Sequence, residues 1–206
     1  MRGKLITIEG IDGAGKTTQV LRLEQWLEST DERHLITRQP AGTTFGYAVS
    51  KLIQHPVHEL TPMAELLLFA ADRAQHVGTL IDGTLNEGRL VVCDRYTDST
   101  IAYQGYGRGI DLGVIEQLNQ LATGGLKPDA TIWLEIPPDV AMDRIAERGE
   151  ADSFDGESLE FWERVHAGYR ALADAEPGRV WVVDATQSEN RVFRDVLSIV
   201  WEVLKR

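Results

Sequence analysis

The sequence predicts an α/β fold, a five-stranded parallel sheet flanked by helices. Two observations predict it. Five short apolar runs, at residues 4–9, 34–37, 90–94, 130–135 and 179–184, alternate with stretches whose apolar residues recur at helical spacing. The central runs are apolar almost without interruption, as strands buried on both faces must be.

Each element has its own signature. Lys4-Leu5-Ile6-Thr7-Ile8-Glu9 reads as the first strand. Val20, Leu21, Trp26 and Leu27, with Leu23 more weakly, give a helix over 16–29. Further helices are predicted over 44–54, 61–82, 96–104, 111–123, 138–147, 158–175 and 188–204. Thr61 suits the N-cap of the long helix, Pro62 its first position, and Glu65 its positively polarised first turn. Cys93, inside Leu90-Val91-Val92-Cys93, is expected to be a buried strand residue. In the helix from 158, Leu159, Val165, Tyr169 and either Phe161 or Trp162 are expected to face inward, beneath an acidic solvated face. Most of Trp26, Trp133, Trp162, Trp181 and Trp201 are expected to be packing residues. Two stretches read as mobile: Gly105-Tyr106-Gly107-Arg108-Gly109, and residues 148–156, placed between two helices as a lid over a site would be.

With 206 residues, no repeat and no linker, the chain is expected to form one domain over 1–206. A net charge of −11 argues against nucleic-acid and membrane-surface partners. A single cysteine excludes an intrachain disulfide. The N-terminus is already a strand and no apolar run reaches membrane-spanning length, so the cytoplasm is the expected location. An anionic ligand would have to be held by cations gathered locally.

Such a ligand is announced by Gly10-Ile11-Asp12-Gly13-Ala14-Gly15-Lys16-Thr17, which fits G-x-x-x-x-G-K-[ST] and lies between a strand and a helix. Glycines let the backbone turn tightly around an anion, and successive N–H groups line the turn. The helix N-terminus adds its dipole. Lys16 supplies charge for β- and γ-phosphates, and the Thr17 hydroxyl suits Mg²⁺. This is a P-loop, so the fold class sharpens to that of the P-loop nucleotide-binding proteins. Residues 10–17 with Thr18 are the expected nucleoside-triphosphate-binding segment, which the family resemblance named below makes the ATP site.

The strand Leu90-Val91-Val92-Cys93 ends in Asp94, the place for a carboxylate facing the loop's Mg²⁺. Asp94 and Arg95 also suit a plain ion pair at a strand tip. Arg95, Ser99 and Tyr103 share one helix face, as do Phe69 and Arg73. Lone aromatics are usually core residues. An aromatic beside an arginine also suits a nucleobase, with the plane stacking and the fork meeting a carbonyl edge.

Four segments together resemble bacterial thymidylate kinases: Glu9–Gln19, Thr37–Thr43, Leu68-Phe69-Ala70-Ala71-Asp72-Arg73 and Asp94–Gly105. With Lys127-Pro128-Asp129 and the lid-like stretch, the resemblance covers nearly the whole chain. It implies Mg-ATP-dependent phosphorylation of dTMP to dTDP by a homodimer. It implies that Phe69 stacks on thymine, Arg73 meets its O4 edge, and Arg38 and Arg95 hold the dTMP phosphate. Asp12 would lie by the acceptor sugar, Tyr103 would crowd the ribose 2′ position, and Ser99 and Gln104 would complete the base and sugar contacts. Lys16, Arg38, Arg95 and a lid cation would act on the transferring phosphoryl group, with Thr17 and Asp94 as metal residues.

The chain departs from the family pattern twice. Gln39 and Ala41 stand in Arg38-Gln39-Pro40-Ala41-Gly42 where the family reads Arg-Glu-Pro-Gly-Gly. Asp152-Ser153 stands where many members have Asp-Arg, leaving Arg148, or else Arg144, to supply the lid charge; Arg148 is the expected one. His55 and His58 flank Pro56 and read as a turn, not a metal site. Phosphorylation of another pyrimidine nucleotide, a P-loop switch ATPase and a non-catalytic nucleotide binder remain the competing readings.

Overall fold

The computed structural model describes residues 2–54, 59–147 and 156–205, together with the backbone of Arg148. Five strands, β1 (Leu5–Glu9), β2 (His34–Arg38), β3 (Leu90–Asp94), β4 (Ala130–Glu135) and β5 (Val180–Asp184), form one parallel sheet in the order β2-β3-β1-β4-β5. The helices are α1 (Lys16–Glu28), α2 (Thr44–Gln54), α3 (Pro62–His76), α4 (Asp82–Asn86), α5 (Thr97–Thr100), α6 (Leu112–Thr123), α7 (Pro138–Arg148), α8 (Leu159–Ala175) and α9 (Glu189–Lys205).

β1 lies at the centre, flanked by β3 and β4, with Ile8 opposite Asp94 and Glu9 opposite Trp133. All five β1 residues are buried, which explains why its sequence shows no polar alternation. The carboxyl ends of β1, β2 and β3 converge where the strand order switches, the usual ligand crevice of an open parallel sheet. The P-loop follows β1, Arg38 ends β2, and Asp94 ends β3 with Arg95 directly after it.

Two helices run on in a π-helical turn. Val77–Ile81 joins α3 to α4, so the helix predicted to stop near 82 continues to Asn86. Val77, Ile81 and Leu85 stay on one face and pack with Leu5, Val91, Cys93 and Tyr96. The widened turn keeps this face inward despite Gly78 and Gly83. Ile101–Gly107 continues α5, which corrects the reading of 105–109 as a mobile turn. Gly105 and Gly107 are buried there because helices approach closely: a Cβ on Gly107 would meet Phe161 at 2.7 Å. These glycines serve packing.

Other local expectations meet the structure directly. Thr61 caps α3 by accepting from the Ala64 N–H, with Pro62 at its start. Cys93 is fully buried. Phe161 and Trp162 are both buried, whereas Leu159 is exposed, since it opens α8 at the rim. In α1, Leu23 is fully buried and Leu21 exposed, the reverse of their expected weights. Trp201 is half exposed and meets Trp26 edge-on on the outer side of α1 and α9. Residues 149–155, with Asp152 and Ser153, and the side chain of Arg148 lie outside the described residues, as do His55 and His58. Among the described residues no helix is long and apolar enough to cross a membrane.

Candidate active site

A cleft of about 520 Å³ opens above the carboxyl ends of β1, β2 and β3. Six basic side chains line it (Lys16, Arg38, Lys51, Arg73, Arg95 and Arg144) against two carboxylates, Asp12 and Asp94. In a protein of net charge −11, this concentrates positive charge at one place.

The P-loop forms one wall. Gly13 and Gly15 have φ of 80° and 89°, and a Cβ on Gly13 would meet the Ala141 carbonyl at 2.5 Å. Conformation and close approach both require glycine there. Lys16 is buried and donates to the Ile11 carbonyl at 2.9 Å and to Asp12 at 3.4 Å. Burial and then the Arg95 charge push its ammonium down, with Asp12 opposing. Thr17 is exposed and Thr18 half-buried; Thr17, Thr18 and Asp94 line the same cleft. Arg144 reaches in from α7, with Nη1 3.4 Å from the Gly13 carbonyl and Nη2 donating to that of Ala185 at 3.1 Å.

Arg95 forms the second wall. It adopts φ 68°, a costly conformation for a residue with a side chain. Its Nη2 donates to Asp12 Oδ1 at 2.6 Å and to the Tyr103 hydroxyl at 3.0 Å. Its Nη1 donates to Ser99 Oγ and to the Gly10 carbonyl, both at 3.1 Å. Burial works to raise the Asp12 carboxyl, but Arg95 and Lys16 outweigh it and hold it below the usual carboxylate range. Ser99 in turn donates to Glu9 Oε2 at 2.5 Å, and that oxygen also accepts from Tyr169 at 2.9 Å. Glu9 Oε1 accepts from the Tyr96 N–H at 2.6 Å. Glu9 is fully buried; desolvation first and the Asp98 charge second push its carboxyl up. It is a hub beneath Arg95 that the motif reading missed. A polar residue ending an otherwise apolar strand was its signal.

Phe69 and Arg73, one turn apart on α3, line the far end, with Tyr103 and Gln104 beside them. Arg73 is almost fully buried. It donates through Nε to Gln39 Oε1 at 2.9 Å, through Nη1 to Asn119 Oδ1 at 3.1 Å and through Nη2 to the Tyr96 carbonyl at 2.9 Å. Gln104 donates to Glu65 at 2.9 Å, and Glu65 also pairs with Arg108 at 3.1 Å. The ring of Tyr103 is fixed edge-on against Phe161, Trp162 and Tyr169. Arg38 is exposed at the rim and makes no ion pair among the described residues. Tyr47, Ser50 and Lys51 of α2 also line the cleft, at the 3–4 spacing that puts one helix face over it.

The residues expected to form the site are brought to this cleft or its loop, apart from Arg148, whose side chain lies outside the described residues. The structure thus joins, within one cleft, a phosphate loop to a far end that bears an aromatic and a buried arginine. The family model for thymidylate kinase matches residues 8–196. The chain belongs to the thymidylate kinase family.

Its relatives agree over nearly their full lengths. A thymidylate kinase of Gloeobacter violaceus is 47% identical over 197 residues, covering 95% of this chain and 93% of the relative. One of Pelotomaculum thermopropionicum is 46% identical over 206 residues, covering 99% and 95%. A crystal structure of thymidylate kinase from Ehrlichia chaffeensis superposes with a TM-score of 0.79 at 33% identity, covering 97% of this chain and 99% of that one. Membership makes the protein an enzyme, a nucleoside monophosphate kinase, and confirms the fold class of P-loop proteins.

Proposed function

We propose that this chain transfers the γ-phosphoryl group of ATP to dTMP, giving dTDP and ADP. The observation that carries this reading is one continuous cleft with the P-loop at one end, Phe69 and Arg73 at the other, and Arg38 and Arg95 lining it. That is the layout of a two-nucleotide site.

In this reading residues 10–18 hold the ATP phosphates, with Lys16 on the β and γ groups. Phe69 stacks on thymine and Arg73 donates to its O4 edge. Arg38 and Arg95 take the acceptor phosphate, Asp12 and Tyr103 border the sugar, and Gln104 and Ser99 close the pocket. Ser99 acts chiefly by fixing Arg95, since its hydroxyl already bridges Glu9 and Arg95.

The acceptor oxygen is already anionic, so no strong base is required. The barrier lies in bringing two polyanions together, and positioned cations lower it. Lys16, Arg38 and Arg95 supply such charge, and Arg148 adds it from the lid.

Asp94 Oδ1 is buried without a hydrogen-bond partner among the described residues, and Thr17 lines the same cleft with its hydroxyl uncommitted there. A hard cation fits this pair of oxygen donors. Thr17 and Asp94 would hold Mg²⁺, which when bound with ATP neutralises charge on the β- and γ-phosphate oxygens.

The reading extends to a homodimer. α3 packs between α2 and α6, and these helices expose Phe45, Leu52, Met63, Leu67 and Leu121, an apolar area of the kind partners cover.

A coupled ADP-release assay with Mg-ATP and dTMP, dUMP, UMP, dCMP or thymidine as acceptor tests the proposal. The expected result is highest kcat/KM with dTMP, and loss of turnover on Mg²⁺ chelation. Preference for thymidine or UMP would overturn it.

A further inference from the structure

Arg73 is a buried cation whose three hydrogen-bond acceptors are all uncharged: an amide oxygen of Gln39, one of Asn119 and the Tyr96 carbonyl. No carboxylate pairs with it among the described residues. Its orientation therefore depends on neutral dipoles, of which the Gln39 amide is hydrogen-bonded at both its oxygen and its nitrogen.

Arg73 Nε–H is a donor only, so the Gln39 amide must present its oxygen there. Its NH₂ then faces His76 Nδ1 at 3.0 Å. That nitrogen must accept, which places the ring proton on Nε2, 2.7 Å from Thr37 Oγ1. One direction of donation thus runs from Gln39 through His76 to Thr37 in β2. His76 is fully buried; burial first and the Arg73 charge second push it down to about 4, so the ring is neutral near pH 7. The chain between Arg38 and Gly46 rests on the same helix face. A Cβ on Gly42 would meet His76 Nε2 at 2.5 Å, and one on Gly46 would meet Asp72 Oδ1 at 2.1 Å.

We infer that Gln39 is a positioning residue for Arg73, aligning its guanidinium for the nucleobase edge while holding His76 in the Nε2–H tautomer. The inference rests on the reading of Arg73 as the thymine-facing group. A carboxylate at position 39 would serve Arg73 equally as an acceptor. It would not donate to His76, so the ring would have to place a proton on Nδ1 instead. The side chain at 39 thus sets two things that can be measured separately.

The test compares wild type with Gln39→Leu, Gln39→Glu and Arg73→Ala, by steady-state kinetics and by ¹⁵N NMR of the His76 ring. Gln39→Leu removes both ends of the amide. It is expected to raise KM for dTMP at least tenfold, to change kcat less than threefold and to leave KM for ATP within twofold. Gln39→Glu restores the acceptor and is expected to bring KM for dTMP within threefold of wild type, while the His76 proton moves to Nδ1. This second variant carries the test if the leucine variant does not fold. A wild-type ring protonated on Nδ1 would overturn the inference. So would a Gln39→Leu enzyme with unchanged KM for dTMP, provided Arg73→Ala raises that KM. If Arg73→Ala leaves it unchanged, the thymine reading falls instead, and the His76 spectrum alone decides the Gln39 contact.

Discussion

Arg95 donates through Nη2 to Asp12 Oδ1 across 2.6 Å, and this bond ties the tip of β3 to the phosphate loop. The guanidinium is held at both ends, with Ser99 and the Gly10 carbonyl fixing Nη1. Glu9 anchors Ser99 from below. On the proposed reading, a cation so restrained would meet the acceptor phosphate without a further search of rotamers, which is how positioning lowers a barrier.

Asp12→Asn should therefore loosen Arg95. A hydrogen bond to a charged group contributes about 1.5–3 kcal/mol, so kcat/KM for dTMP is expected to fall on the order of 10- to 100-fold. KM for ATP should change much less. Because the fold holds Asp12 below its ordinary range, its ionised form stabilises the protein above about pH 4. That contribution is lost as pH falls further. Thermal melts should show wild type ahead of the variant at pH 6, with the gap closing in acid.

Phe69→Ala should raise KM for dTMP with little change in KM for ATP. Loss of a base–aromatic stack costs about 1–3 kcal/mol, corresponding to roughly 5- to 150-fold. Equal loss for both nucleotides would place the base elsewhere.

The lid cation can be tested in the same assay. The P-loop has no basic residue before Lys16, so the proposed reading asks the lid for positive charge. Arg148→Ala is expected to lower kcat on the order of 10³-fold, as loss of an arginine finger does. Arg144 already donates to the Ala185 carbonyl. Arg144→Ala should act mainly on KM for ATP, through the wall of the loop. If Arg144→Ala instead gives the larger fall in kcat, the two roles are exchanged.

Much of this was legible in the sequence. All five strands were, because apolar runs bounded by turns report burial on both faces. The P-loop was, because its glycines meet demands that few other sites impose. The lines of force between side chains were not. Glu9 stands out only as a polar strand end, and nothing in Gln39, Asn119 or Glu9 says which residues they hold, since the partners Arg73 and Ser99 lie 34, 46 and 90 positions away. The π-helical turns escaped for a different reason. Gly105 and Gly107 look like a turn when read locally, and only the approach of Phe161 gives them another purpose.

Leu67→Glu places a charge among the exposed apolar residues of α2, α3 and α6 that the proposed dimer would cover. Leu67 is half exposed, so the monomer should tolerate the change. Analytical ultracentrifugation is expected to show a dimer for wild type and a monomer for the variant, with circular dichroism unchanged. A wild-type monomer at micromolar concentration would sink the assembly proposed here.

Asp72 gives a prediction with a defined sign. Its carboxylate is 1% exposed, and neither oxygen finds a good hydrogen bond among the described residues. Burial pushes it up to about 6, with Arg73 and the Ala41 N–H opposing. The unfolded chain ionises near 4, so between roughly pH 4 and 6 the folded state binds more protons, and stability falls as pH rises. The cost of holding the ionised form in the fold is on the order of 3 kcal/mol. His76 works the other way. It is pushed down to about 4 in the fold, so its contribution rises with pH over the same range. The wild-type profile mixes the two, and Asp72→Asn separates them. The variant should match wild type or fall below it near pH 4.5, where Asp72 is largely protonated. It should melt higher by several degrees at pH 7.5, with the difference growing through pH 5–6 and flat above pH 7. A difference independent of pH would mean that Asp72 ionises freely, and that the segment from Ala41 to Gly46 leaves it open to water.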